Sequence, residues 1–322
     1  MTDIRTTRPL FLARAPIPVF GIGMGVLGLG LCWRNAGLLF HLSIVIGDTI
    51  LGLGVLLSLL ALASQLWRAL WMPGSLYEEL KHPLLGPTVG QPIIVLLLIS
   101  EAARRDFPLV SHVMLFTGSV LALLVTLLVL FLFGRRRDSG IPVAPTRLIA
   151  PIALLIAAIL HASEGNAMAA WLLVGAGTAA IFALCPITLL HFPVATLPEP
   201  ARPLVMISVA PLALIFIAYV ELRGIDVVAF ILFGGALTIL LRTMSTLPTW
   251  WKAPFGLPWW SCAMPPAAVV LAILALAEKV GGGAMLAGAG TAVGLLTGAV
   301  VILSVRTGYA IAGGYFLPPA RS

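Results

Sequence analysis

Charge is scarce in this chain. Of its 322 residues only 10% are charged, with 12 acidic residues against 19 lysines and arginines. Soluble domains carry about 25% charged residues, so a water-exposed globular surface is excluded, and no stretch is polar enough to form a soluble domain of its own. Cysteine is nearly absent. Cys32, Cys185 and Cys262 each sit inside an apolar run, with no CxxC or Cys/His spacing. That excludes a disulfide framework or a structural zinc site, and leaves small apolar helix residues as the reading. The five histidines, His41, His82, His112, His161 and His191, lie near segment ends, and none pairs at i,i+4 with another histidine. HExxH, GxSxG and phosphate-loop motifs are all missing. The chain is therefore expected to be neither an enzyme nor a holder of metal or cofactor. The net charge of +7 lies between apolar runs, as orientation signals do, and does not point to nucleic acid.

Long apolar runs are what the chain has in abundance. Hydrophobic residues make up 60% of it and the mean hydropathy is +1.10, the signature of a polytopic helical membrane protein. A crossing needs about 20 mainly apolar residues. Ten segments qualify, at approximately 17–33, 38–66, 87–101, 107–134, 143–161, 167–190, 203–220, 225–242, 257–277 and 281–304, within one transmembrane domain covering 1–322. The N-terminus, with Arg5, Arg8 and Arg14 before an apolar stretch, resembles a signal peptide but lacks a small-x-small cleavage site, so it reads as a retained first span.

The links alternate in kind. Those after odd segments are short: Arg34-Asn35-Ala36-Gly37, Arg104-Arg105-Asp106, Ser163-Glu164-Gly165-Asn166, Leu222-Arg223-Gly224-Ile225 and Glu278-Lys279-Val280-Gly281. Those after even segments are longer and contain proline. Short turns make antiparallel neighbours, so the chain reads as five helical hairpins in series. The short turns hold Arg34, Arg104, Arg105, Arg223 and Lys279, while the other fourteen of the 19 basic residues lie at the termini and in the longer links. The positive-inside rule then puts both termini and the long links in the cytoplasm. Trp67, Trp71 and Tyr77, and Trp250, Trp251, Trp259 and Trp260, read as interface anchors.

Proline recurs early in every odd segment, at Pro18, Pro92, Pro151, Pro211 and Pro265. Proline inside a helix removes a backbone hydrogen bond and clashes with the preceding turn. In lipid such a break is tolerated where protein or a water-filled cavity meets the freed groups. The recurrence suggests helices facing one another or a shared channel. The plainer alternative is that membrane helices simply carry more proline. Glycine alternates in segment one, where Gly21 and Gly25 suit close packing or a pore-facing groove, and segment ten carries Gly290, Gly294 and Gly298, read as a packing face.

Few acids fall inside these runs. Asp48 lies about ten residues into segment two, roughly 15 Å along a helix. It reads as a proton-coupling group or, favoured because an even segment would lie outside the bundle, as a structural carboxylate. Glu101 with Arg104 and Arg105 reads as a solvated turn that can also attract anions to a pore mouth.

Several of these features together resemble the tellurite-resistance/dicarboxylate transporter family, which includes bacterial TehA, yeast malate and sulfite transporters and the plant guard-cell slow anion channel. They are Phe20-Gly21-Ile22-x-x-Gly25, Asp48 followed by Gly52, Pro92 with Glu101, Ala210-Pro211, and Trp259-Trp260-Ser261-Cys262-Ala263-Met264-Pro265. The resemblance implies five hairpins around a pseudo-five-fold central pore, odd helices inside and proline-kinked, and even helices outside. It also implies homotrimers with one pore per subunit. The family's ninth helix carries a phenylalanine plug; the matching position here is Met264, and Cys262 also replaces an aromatic. The implied function is an anion channel or channel-like exporter of small inorganic or carboxylate anions, with an apolar constriction at Met264, in a bacterial inner (plasma) membrane. The alternative is a proton-coupled secondary transporter of C4-dicarboxylate, sulfite or tellurite-type anions, with Asp48 or Glu101 titrating.

Overall fold

The computed structural model describes residues 15–133, 145–184, 194–314 and 316. Every regular element among them is helical. Ten helices are long and apolar enough to cross a membrane: Ile17–Leu39, Val45–Trp71, Gly86–Ala103, Pro108–Phe133, Pro145–Ser163, Ala167–Leu184, Glu199–Arg223, Val227–Ser245, Leu257–Val280 and Gly283–Ala312. Arg5, Arg8, Arg14, the triple arginine at 135–137, Cys185, His191 and Arg321 lie outside the described residues, as do the expected end of segment four, start of segment five and end of segment six.

The spans fall into two classes. In odd spans 67–78% of the most apolar window is buried, in even spans 22–28%. The α-helical parts of the odd spans are α1 (Phe20–Leu39), α4 (Gln91–Ala103), α6 (Ile149–Ser163), α8 (Ala210–Arg223) and α11 (Met264–Val280). They touch in a closed cycle, α1 on α4, α4 on α6, α6 on α8, α8 on α11 and α11 back on α1. The even spans are α2 (Val45–Trp71), α5 (Pro108–Phe133), α7 (Ala167–Leu184), α9 (Val227–Ser245) and α12 (Gly283–Ala312). Each packs on the odd span before it and turns large apolar side chains outward. Two short helices, α3 (Pro73–Lys81) and α10 (Leu247–Trp250), lie in the long links.

The turns explain the hairpins. Gly165, Gly224, Gly281 and Gly282 all adopt positive φ, open to glycine at no steric cost. The first turn uses His41 instead, at φ 53°. Asp226 caps α9, its carboxylate accepting from the Ala229 N–H at 3.0 Å and from the Tyr219 hydroxyl at 2.6 Å. The Tyr219 hydroxyl foremost, with the Ala229 N–H, holds the Asp226 carboxyl below the usual carboxylate range.

Three expectations change here. The first helix runs to Leu39, so Arg34-Asn35-Ala36-Gly37 belongs to its last turns, and the reversal occupies 40–44. The apolar string around Leu38, Leu39, Phe40 and Leu42 hides the turn from a hydropathy reading. Asp48 consequently sits in the first turn of α2 rather than ten residues in. Second, the small-residue face of α12 is open: an added Cβ would meet nothing within 4 Å at Gly294 or Gly298, and only Phe40 at Gly290. Third, Trp250, Trp259 and Trp260 are buried. The Trp260 indole N–H donates to Thr307 Oγ1 at 3.0 Å, and that of Trp259 to the Pro254 carbonyl at 3.1 Å. Trp67, Trp71 and Tyr77 are exposed, as interface anchors are.

The first span uses its glycines on two neighbours. An added Cβ at Gly25 would lie 2.6 Å from the Ala263 Cβ, and at Gly28 3.0 Å from that of Ala267, both on the ninth span. Gly30 faces Leu51 and Gly23 faces Ser58 on α2, whereas Gly21 has ordinary room against Trp260, at 3.5 Å. We expect Gly25→Leu to separate α1 from α11 and cost about 1–3 kcal/mol by overpacking, read as a lower unfolding temperature in detergent. Gly52→Ala, where nothing lies within 4 Å, should leave that temperature unchanged.

Candidate functional site: two cavities meeting at Met264

Each odd span starts as a tight 3₁₀ segment and continues as an α-helix. The segments are Ile17–Val19, Gly86–Gly90, Pro145–Leu148, Glu199–Val209 and Leu257–Cys262. Proline places them, because it lacks the N–H that α-helical bonding needs. Pro18 lies in the first segment; Pro92, Pro151, Pro211 and Pro265 fall in the first turn of α4, α6, α8 and α11. There a missing N–H costs the helix no bond of its own. The five prolines therefore mark junctions between two helix types, rather than interruptions in the middle of α-helices.

The junctions surround a cavity of about 290 Å³ toward the long-link face. Its wall takes residues from all five odd spans, among them Pro18, Gln91, Thr146, Ala210 and Met264. No charged side chain lines it among the described residues. A second cavity, about 500 Å³, opens toward the short-turn face. It is again lined by all five odd spans, among them Asn35, Glu101, Ile156, Ile217 and Met264.

Among the described residues, only Met264 lines both cavities. It is the first residue of α11 and is 5% exposed. Gly28, opposite it on α1, has ordinary room toward Met264, an added Cβ lying 3.9 Å from the Met264 Cγ, and packs closely on Ala267 of α11 instead. An apolar, unbranched side chain thus stands between the two chambers.

The larger cavity holds ionisable groups. Glu101, Glu221 and Glu278 line it, near the ends of α4, α8 and α11, with Arg104, His41, Asn35 and Ser163. Arg104 is committed: it pairs with Glu101 Oε1 at 2.9 Å and donates to Ser163 Oγ at 2.5 Å. Arg105 is exposed and does not line the cavity. Arg34 pairs with Asp48 at 2.8 Å and donates to the Glu101 and Ala102 carbonyls at 3.3 and 3.2 Å, joining α1, α2 and α4. Asp48 therefore sits in a structural ion pair and lines neither cavity. Of the four charged candidates, the structure brings Glu101 and Arg104 to the cavity and leaves Asp48 and Arg105 outside it.

Sequence reading did not single out Glu221, Glu278, His41, Gln91 or Thr146 as site residues. For the two carboxylates a signal existed, since both recur near the end of an odd span, as Glu101 does. For Gln91 and Thr146 there was none, because neutral polar residues beside proline look like ordinary helix starts. Among the described residues no group of histidine, cysteine and carboxylate side chains is placed to hold a metal ion.

The family model SLAC1, described as voltage-dependent anion channel, matches residues 14–308. No curated protein matches the chain.

Proposed function

Because the chain belongs to the SLAC1, or voltage-dependent anion channel, family, we propose that it passes small anions through a pore within each subunit, gated by Met264. The observation that carries this reading is the pair of cavities, each walled by all five odd spans and meeting at one apolar side chain. A narrow apolar constriction gates by excluding water, and an ion crosses when the side chain moves aside. Methionine suits such motion better than a flat ring, having three rotatable bonds and no rigid plane. The uncharged wall of the smaller cavity supports a weakly binding path, through which ions leave as readily as they enter.

The test is a reversal potential from purified protein in a planar bilayer under a chloride gradient. The expected value lies near the chloride equilibrium potential. A current carried equally by potassium would sink the reading, and so would no current.

One observation favours the coupled-transport alternative. The larger cavity is lined by three carboxylates and a single arginine already paired with one of them, a poor attractor of anions but a workable proton acceptor. Glu101→Gln separates the readings. A proton-coupled carrier should lose the pH dependence of its uptake, whereas a channel should keep its reversal potential and gain current, because one negative charge leaves the anion's path.

The multi-pass membrane location follows from the ten apolar spans. Cytoplasmic termini, a bacterial inner membrane and a homotrimer belong to the proposal. The open stripe of Gly290, Gly294 and Gly298 on α12 supports close contact between subunits. Native mass measurement in detergent should give three times the 33.9 kDa chain mass.

A further inference from the structure

The smaller cavity sets a problem for any anion, since no charged side chain lines it among the described residues. Hydration must be replaced there by neutral donors. The lining side chains that carry a polar hydrogen are Thr88, Gln91, Thr146, Trp260 and Ser261. Three of them have already committed it. The Thr88 hydroxyl donates to the Leu85 carbonyl at 2.5 Å. The Ser261 hydroxyl donates to the Pro203 and Pro258 carbonyls at 2.6 and 2.7 Å. The Trp260 indole N–H donates to Thr307 Oγ1 at 3.0 Å. Gln91 and Thr146 remain. Gln91 Oε1 and Thr146 Oγ1 are both buried without a hydrogen-bond partner, and the residues are 9% and 0% exposed.

Two orphaned polar side chains on one cavity are unusual, because a buried polar group without a partner costs free energy that native proteins normally avoid. Both lie near the junction of a 3₁₀ segment with an α-helix. Gln91 opens α4 directly after the 3₁₀ segment Gly86–Gly90, and Thr146 lies in the segment Pro145–Leu148 that leads into α6. The two segments touch. Gly90 lets the first segment pack closely on the start of α6: an added Cβ there would lie 3.0 Å from the Ala150 Cα. Gln91 and Thr146 thus line the same chamber, the one that Met264 closes, from adjacent and touching inner spans.

We infer that Gln91 and Thr146 form a neutral two-point subsite that holds a partly dehydrated small anion, a halide or nitrate, on the long-link side of Met264. A free carboxamide supplies N–H donors to the anion and an oxygen to water that remains bound to it, while the threonine hydroxyl donates to the anion directly. Neither residue carries charge, so the hold is weak enough for passage. The inference rests on the channel reading and adds to it the determinant of which anions pass. Strongly hydrated chloride needs these donors more than weakly hydrated thiocyanate does.

The test compares thiocyanate with chloride by bi-ionic reversal potentials on purified protein. Gln91→Leu and Thr146→Val should each raise the thiocyanate-to-chloride permeability ratio about tenfold, the scale of one lost hydrogen bond to a charge. Thr146→Ser, which keeps the hydroxyl, should leave the ratio at the wild-type value. An unchanged ratio in the first two variants, with current intact, overturns the subsite and spares the channel. Absence of anion current in the wild type overturns both. A structural readout guards against variants that fail to fold: crystals of the wild type soaked in bromide should show an anomalous peak within hydrogen-bond distance of both side chains. A soaked wild type without that peak overturns the subsite, as does a peak that persists unmoved in Thr146→Val.

Discussion

Met264→Ala should conduct at least about tenfold more current than the wild type in the same bilayer, a barrier lower by roughly 1.4 kcal/mol. The physical basis is position. Met264 is the one described residue shared by two cavities of about 290 and 500 Å³, so truncating it at Cβ joins them without disturbing either wall. The variant should fold, because the deleted atoms border existing space instead of leaving a sealed void in a packed core. Met264→Phe tests the opposite sign. A rigid ring at the same place cannot fold away along its own bonds, and current should fall below wild type. Equal currents from all three proteins would remove Met264 from the gate and leave the family membership untouched.

Glu79→Ala should produce the largest loss of stability, about 3–5 kcal/mol, the cost of leaving one buried charge unpaired. Glu79 lies on α3 and bonds Arg68 of α2 at 2.8 Å, both side chains being 7% exposed or less. Its other oxygen accepts from the Ile17 N–H at 2.6 Å, and Arg68 also donates to the Ala15 carbonyl at 2.9 Å. One short helix and one arginine thus hold the start of the first inner span, where Pro16 and Pro18 enter the wall of the smaller cavity. The measurement is the unfolding temperature in detergent for Glu79→Ala, Arg68→Met and the pair together. The double variant should be more stable than Glu79→Ala alone, since it removes the stranded charge with its partner. A double variant as unstable as the sum of the singles would mean that the two residues act independently.

Much of the scaffold was legible because bilayer thickness imposes a length on every apolar run. The ninth and tenth spans, expected at 257–277 and 281–304, occur at Leu257–Val280 and Gly283–Ala312. The inner and outer classes were legible through the prolines of the odd spans. What escaped was anything that depends on partners across the bundle. Asp48 looks intramembrane until α1 is seen to extend to Leu39 and bring Arg34 beside it. Trp259 and Trp260 look like interfacial aromatics, but the 3₁₀ segment Leu257–Cys262 turns both into the core, with Trp260 against α1 and α12. Gly294 and Gly298 have packing spacing without an intramolecular partner, and Gly290 meets only the Phe40 ring. Met264 was singled out by the resemblance carried by the aromatic stretch before it, and the structure places it in the lining of both cavities. Gln91 and Thr146 declare themselves only when the hydrogen bonds of their neighbours have been assigned, and sequence spacing carries no such assignment.

The ring of inner helices also dictates an order of assembly. Its closing seam joins the first hairpin to the last: Cys32 Sγ meets the Ala267 carbonyl at 3.5 Å, 235 residues away, and the Trp33 indole N–H meets Thr297 Oγ1 at 3.0 Å, 264 residues away. A chain emerging from the ribosome holds its first helix long before the partner for that helix exists. Until the ninth span is inserted, Gly25 and Gly28 face an unfilled slot and neither chamber has its fifth wall. A messenger truncated before that point cannot yield a smaller or leakier pore, because an arc of four hairpins encloses nothing.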